Sequence, residues 1–137
     1  MLLGLAQTLL ASAAPPADLD LSISGLRSAR GLVRICLTRD PDHFPGCSND
    51  AQAIKRSVPA GHTALRFDDL PSGAWAVSLF HDENRNGKLD TVLGIPREGF
   101  GFSRNPPIRF GPPRFSAARF SLTSGETSQS VRLKYLL

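Results

Sequence analysis

Between His81 and Asp90 the chain reads His-Asp-Glu-Asn-Arg-Asn-Gly-Lys-Leu-Asp. Asp82, Asn84, Asn86 and Asp90 put side-chain oxygens at the first, third, fifth and ninth positions of a calcium-type loop, and Gly87 stands where such a loop turns sharply. A hard cation of this kind takes about six to eight oxygens. Lys88, at the seventh position, would contribute only its backbone carbonyl. The twelfth position, where a helical calcium hand carries a bidentate glutamate, is Leu93. Glu98 is the acid placed to swing in from the following segment, with Asp68 and Asp69 of a neighbouring turn as weaker candidates. The expected metal set is therefore Asp82, Asn84, Asn86, Lys88, Asp90 and Glu98 around a structural calcium ion. With only two carboxylates assured, the affinity expected is in the ~10⁻⁴–10⁻³ M class of extracellular modules. The alternative is an Asn/Gly-rich turn that binds nothing.

No other segment spaces its residues for a specific reaction. The histidines His43, His62 and His81 are scattered, and there is no Gly-x-Ser-x-Gly elbow or His-Glu-x-x-His pair. His81 beside Asp82 has the makings of an oriented base, but a strand-end residue capping the loop is the simpler reading. The chain is expected not to be an enzyme. Its net charge is +4, and Arg97, Arg104, Arg109, Arg114 and Arg119 share their stretch with one acid, Glu98. Together with Phe100 and Phe102, the arginines Arg97, Arg104, Arg109 and Arg114 suggest a second function, a carbohydrate- or anionic-lipid-binding module over residues 97–119. A solvated arginine-bearing face is the bland alternative. No nucleic-acid-binding motif is present.

Residues 1–13 carry no charge, run apolar and end in Ala11-Ser12-Ala13, the pattern of a secretory leader with its cleavage site. The basic n-region is missing, which leaves room for a start upstream of Met1. Pro15-Pro16 breaks the segment after it, and the run is too short to span a bilayer. An exported chain would oxidise its two cysteines, so Cys36 and Cys47 are expected to form a disulfide.

The elements that must hold the loop show mostly strand periodicity. Leu19-Leu21-Ile23 and Val33-Ile35-Leu37 alternate apolar with polar, and with Gly25 and Gly31 between them they read as a hairpin. Thr63-Leu65-Phe67 and Trp75-Val77-Leu79 give two more strands around the Asp68–Gly73 turn. The latter strand leads straight into the loop. A short helix is expected around 49–56. Residues 91–113 show no period and read as a long ordered loop or a set of short edge segments, whose phenylalanines need a surface to cover. Ala118-Phe120-Leu122 and Val131-Leu133-Tyr135 complete the set. Eleven prolines and twelve glycines in 137 residues fit many turns and one domain, over residues 18–137. The expectation is an all-β fold, an antiparallel sandwich of about seven strands with one short helix.

Several segments together resemble a known family. They are Ser24-Gly25-Leu26-Arg27 with Gly31–Arg34, the run Phe67–Val77, the block His81–Asn84 through Gly94–Ser103, and Phe110–Phe115. The chain resembles the exported bacterial proteins grouped as the domain of unknown function 2141, over about Leu19 to Tyr135. The resemblance implies a small periplasmic or secreted β-sandwich and hands over no activity. The turn Leu70–Trp75 is also similar, locally, to transthyretin-like and collagen-adhesin B-type sandwich domains, some of which carry Asp-x-Asn-x-Asn-Gly loops. On this reading the chain is a non-catalytic envelope or secreted domain, its partner an unidentified envelope protein, glycan or lipid.

Overall fold

The computed structural model describes residue 4 and residues 15–137; the leader expected over 1–13 lies, apart from residue 4, outside the described residues. Ten strands and one short helix follow in the order β1 (Ala17–Ser24), β2 (Leu32–Thr38), β3 (Ile54–Pro59), β4 (Ala64–Leu70), β5 (Gly73–Asp82), β6 (Thr91–Val92), β7 (Ile95–Pro96), β8 (Phe100–Phe102), α1 (Phe115–Ala118), β9 (Phe120–Leu122) and β10 (Gly125–Arg132). The expected all-β sandwich is what forms. One face of the sandwich is the sheet β10-β1-β4 and the other β3-β2-β5-β8, with β9 also paired to β5, and β6 and β7 pair separately as a two-stranded sheet.

The alternating residues of both sheets meet in one core. Leu19, Leu21, Ile23, Phe67 and Val131 come from the first sheet, and Val33, Ile35, Leu37, Trp75, Val77 and Leu79 from the second, all buried. Trp75 satisfies its indole N–H on the Pro71 carbonyl at 2.9 Å, so the largest core ring buries no orphan donor.

Two expectations need correction. β1 and β2 do not form a hairpin: β1 pairs with β10 in parallel and with β4 antiparallel, whereas β2 pairs with β3 and β5. The seven residues from Gly25 to Gly31 cross from one sheet to the other instead of closing a tight turn. Gly31 (φ 72°) is where the crossing needs a glycine, because a Cβ there would come within 2.2 Å of the Asp82 carbonyl oxygen. The helix expected around 49–56 is also absent. Residues 54–59 form edge strand β3 against β2, and among the described residues the one helix is α1. Ile54 and Val58 pack on the core at strand spacing, and the backbone of the edge strand is satisfied on one side by β2.

The outer face of β5 is covered as well. Ala76, Phe100, Phe102, Phe115 and Ala118 form a second cluster, with Phe44, Phe80 and Ile108 packed against it. Phe44 lies 5.9 Å from the rings of both Phe102 and Phe115. The connection carrying Phe44 is pinned by the Cys36–Cys47 disulfide, whose Cα atoms are 5.9 Å apart. Buried Ser103 binds this layer to the sheet: its hydroxyl donates to the Ala118 carbonyl at 2.5 Å and accepts from the Val77 N–H at 2.9 Å.

Candidate functional site

Strand β5 delivers the loop. Alternation along it turns His81 inward and Asp82 outward, and both are fully buried. Asp82 anchors the turn that follows. Its Oδ1 accepts from the Asn86 N–H at 3.1 Å and its Oδ2 from the Gly87 N–H at 2.9 Å. The Arg34 guanidinium, on the same outer face one strand away, donates to Oδ2 at 2.5 Å and so compensates the buried charge. Gly87 takes φ 83°, the left-handed turn that its position in the motif requires. The Asn84 Oδ1 accepts from the Asn86 N–H at 3.3 Å and the Asn86 Oδ1 from the Lys88 N–H at 3.1 Å, continuing a ladder of Asx turns.

The remaining donors converge. The Asn84 and Asn86 amide nitrogens reach the two oxygens of Asp90 at 2.7 and 2.6 Å. Those two hydrogen bonds hold the Asp90 carboxyl below the usual carboxylate range, Asn86 contributing most. Glu98 does come in from the following segment, as the sequence suggested. It is buried, and its Oε1 and Oε2 accept from the Asp90 and Glu83 N–H groups at 3.1 and 2.8 Å, clamping both ends of the loop. The expected side-chain ligands are thus linked to one another, but the side-chain oxygens of Asp82, Asn84, Asn86, Asp90 and Glu98 are spent on hydrogen bonds. Among the described residues no group of three or more His, Cys, Asp or Glu is arranged to hold a metal ion. Asp68 and Asp69 lie elsewhere, at the end of β4, where Asp68 pairs with Arg66 and the Asp69 N–H reaches Asp18.

Glu83 is the residue that the spacing gave no reason to notice. Its carboxylate gathers Arg27 (2.6 Å), Ser28 (3.0 Å) and Arg30 (3.2 Å), all from the crossing connection between β1 and β2. Burial pushes its pKa up, but the hydrogen bonds from Arg27, Ser28 and Arg30 outweigh that and leave it below the ordinary glutamate range. His81 faces the same connection from inside. One ring nitrogen lies 2.6 Å from the Arg30 carbonyl and the other 2.8 Å from the Tyr135 hydroxyl. Donation from Nε2 to the carbonyl and acceptance at Nδ1 from the hydroxyl satisfy a neutral ring. Burial also raises the Tyr135 hydroxyl above its usual range.

Beside the loop the outer face of β2, β3, β5 and β8 is hollowed into a groove of about 440 Å³. Phe80, Phe100, Phe102, Leu89 and the disulfide make its apolar walls, with Arg34 and Lys55 on its polar side. Phe100 and Phe102 therefore line a concave surface, as a ligand-binding segment would need. Arg97, Arg104, Arg109 and Arg114 are exposed and stand outside that lining. The basic groups at the groove, Arg34 and the adjacent Lys55 and Arg56, come from strands β2 and β3, and their spacing in the sequence does not show that they share a surface with Phe100 and Phe102.

What fold and loop define together is a class: a small β-sandwich with an oxygen-rich Asx-turn loop at the end of β5. Residues 21–130 place it more narrowly. They match the family described as "Uncharacterized protein conserved in bacteria (DUF2141)", and the chain belongs to that family. No curated protein and no solved structure matches it. Among the described residues no helix is long and apolar enough to cross a membrane.

Proposed function

We propose that this is a non-catalytic, exported sandwich domain whose Asp82–Asp90 loop takes a calcium ion that stiffens the segment leading to β8. The observation that carries the reading is the convergence of Asn84, Asn86 and Asp90. Two amides already point at one carboxylate, and a half-turn of each amide exchanges its NH₂ for its oxygen. Asp82 and the Lys88 carbonyl stand at further positions of the motif, and Glu98 reaches the loop from the following segment. Calcium would supply charge neutralisation and cross-linking there, with no chemistry of its own. The Arg34 pairing partly cancels Asp82, which favours the weak, roughly millimolar class of sites. The disulfide supports export, since such bonds persist in oxidising compartments. The non-catalytic reading rests on His81, whose two ring nitrogens are engaged inside the core.

Titration calorimetry of calcium into the metal-stripped protein, with magnesium as control, tests this. A saturable signal near one ion per chain is expected, together with a rise in melting temperature. Asp90→Ala should abolish both. Asp90 is the informative position because it is not buried, whereas removing Asp82 would also strand Arg34. Identical melting of wild type and Asp90→Ala with and without calcium would sink the reading.

A further inference from the structure

The segment after the loop is a two-stranded hairpin, β6 and β7, with Thr91 opposite Pro96 and Val92 opposite Ile95. Its tip is Leu93-Gly94, with φ 50° and 79°. Two successive left-handed residues make the tight hairpin turn whose first position prefers asparagine, aspartate or glycine. This chain puts a leucine there and leaves it 97% exposed. Val92 and Ile95, a directly opposed pair on one face, are 42% and 44% exposed. A strained, solvent-facing leucine between two exposed aliphatics gains nothing inside the fold, and such outliers point to a function outside it.

The charges around the tip identify what it meets. The Arg97 N–H binds the Asp90 carbonyl at 2.8 Å, which extends the hairpin by one pair. Alternation then puts Arg97 on the face shared by Val92 and Ile95. Arg85 and Lys88 are exposed on the adjoining loop, and among the described residues none of the three cations forms an ion pair. Of the nearby acids, Glu83 is paired with two cations, Arg27 and Arg30, whereas Asp90 and Glu98 are held by asparagine amides and backbone N–H groups, which bring no compensating charge. The result is a short apolar projection with Arg97 on its own face and exposed Arg85 and Lys88 on the loop that leads into it, a local surplus of cations over Asp90 and Glu98. We propose that the Thr91–Pro96 hairpin inserts its tip into the surface of an anionic lipid bilayer, with Arg85, Lys88 and Arg97 meeting the headgroups. The inference does not depend on calcium binding by the neighbouring loop.

The test is co-sedimentation of the whole protein with phosphatidylglycerol-containing vesicles and with pure phosphatidylcholine vesicles, each in calcium and in chelator. Binding to the anionic vesicles in at least one of the two buffers is expected, weakening as salt rises. Leu93→Asn supplies a residue that the turn prefers and removes the apolar tip. It should leave the melting temperature unchanged or higher while lowering vesicle affinity about tenfold, the loss of one partly buried aliphatic side chain. Leu93→Trp should bind and shift its emission to the blue on mixing, as a tip entering the acyl boundary requires. Equal affinity of wild type and Leu93→Asn, equal binding to neutral vesicles, or no vesicle binding in either buffer would overturn the proposal. A Leu93→Trp emission unmoved by bound vesicles would do so too.

Discussion

At the scale of single residues, the loop is governed by which carboxylate holds which donor. Asp82 and Asp90 were legible from spacing because turn chemistry fixes both their type and their interval, whereas Glu98 lies outside the motif and was legible only as the acid of the following segment. Glu83 was not, because its partners Arg27, Ser28 and Arg30 lie far away in sequence and only the crossing between sheets brings them in. Its role is nonetheless testable. A folded-state pKa below the unfolded one means that the stabilisation is complete above the unfolded value, near about 4.3, and is lost as pH falls through the folded value. Glu83→Gln keeps the shape and removes the charge. At neutral pH it should cost about 1–2 kcal/mol, moderated because Arg30 is largely exposed. Urea unfolding of both proteins across acid pH checks this. The two stabilities should converge below the folded pKa, and a gap that persists unchanged at low pH would mean that the charge is not what holds the connection.

At the scale of elements, the alternation of apolar and polar residues located β1, β2, β4 and β5, since each buries one face against a common core. It failed at β3, where Lys55, Arg56 and Ser57 interrupt an edge strand whose core contacts are Ile54, Val58 and the Arg56 guanidinium over the Phe67 ring. It also failed at β8. There Gly99 and Gly101 look like turn residues but mark close approach: a Cβ on Gly99 would sit 2.4 Å from the Tyr135 ring, and one on Gly101 would lie 2.7 Å from Val131. The phenylalanines between and after them face outward into the second cluster. This reading makes Gly99→Ala a displacement of Tyr135 and of its contact with His81. The expected cost is about 1–3 kcal/mol, the usual price of overpacking. In a Tyr135→Ala background, which removes the ring, the same substitution should cost much less, and a double-mutant cycle measures the difference. Equal costs in the two backgrounds would show that the glycine is needed for some other reason.

At the scale of the whole molecule, periodicity says which face of a strand is buried and is silent about its neighbours. That is why the sandwich was legible while the parallel pairing of β1 with β10 was not. Two alternating strands separated by a glycine-bracketed segment look alike whether the chain turns back or crosses over. This sandwich carries an extra layer outside β5, and the disulfide ties down the connection that supplies Phe44 to it. Cys36 projects from β2 and Cys47 from the connection that carries Phe44. The same connection is tied by the Thr38 hydroxyl to Asp50 at 2.5 Å and by the Ser78 hydroxyl to the Pro45 carbonyl at 2.5 Å. Cys36→Ser with Cys47→Ser should therefore lower global stability by about 2–3 kcal/mol, through the entropy of the unfolded chain and with the native hydrogen bonds left in place. The loss should be uneven. Amides of residues 40–53 should exchange much faster, because few contacts remain to close that segment, whereas β1, β4 and β10 should track the global change alone. Denaturant unfolding followed by native-state hydrogen exchange separates the two effects. Unfolding at the same denaturant concentration as the oxidised wild type, with unchanged protection of residues 40–53, would mean that the aromatic layer holds the connection without the covalent tie.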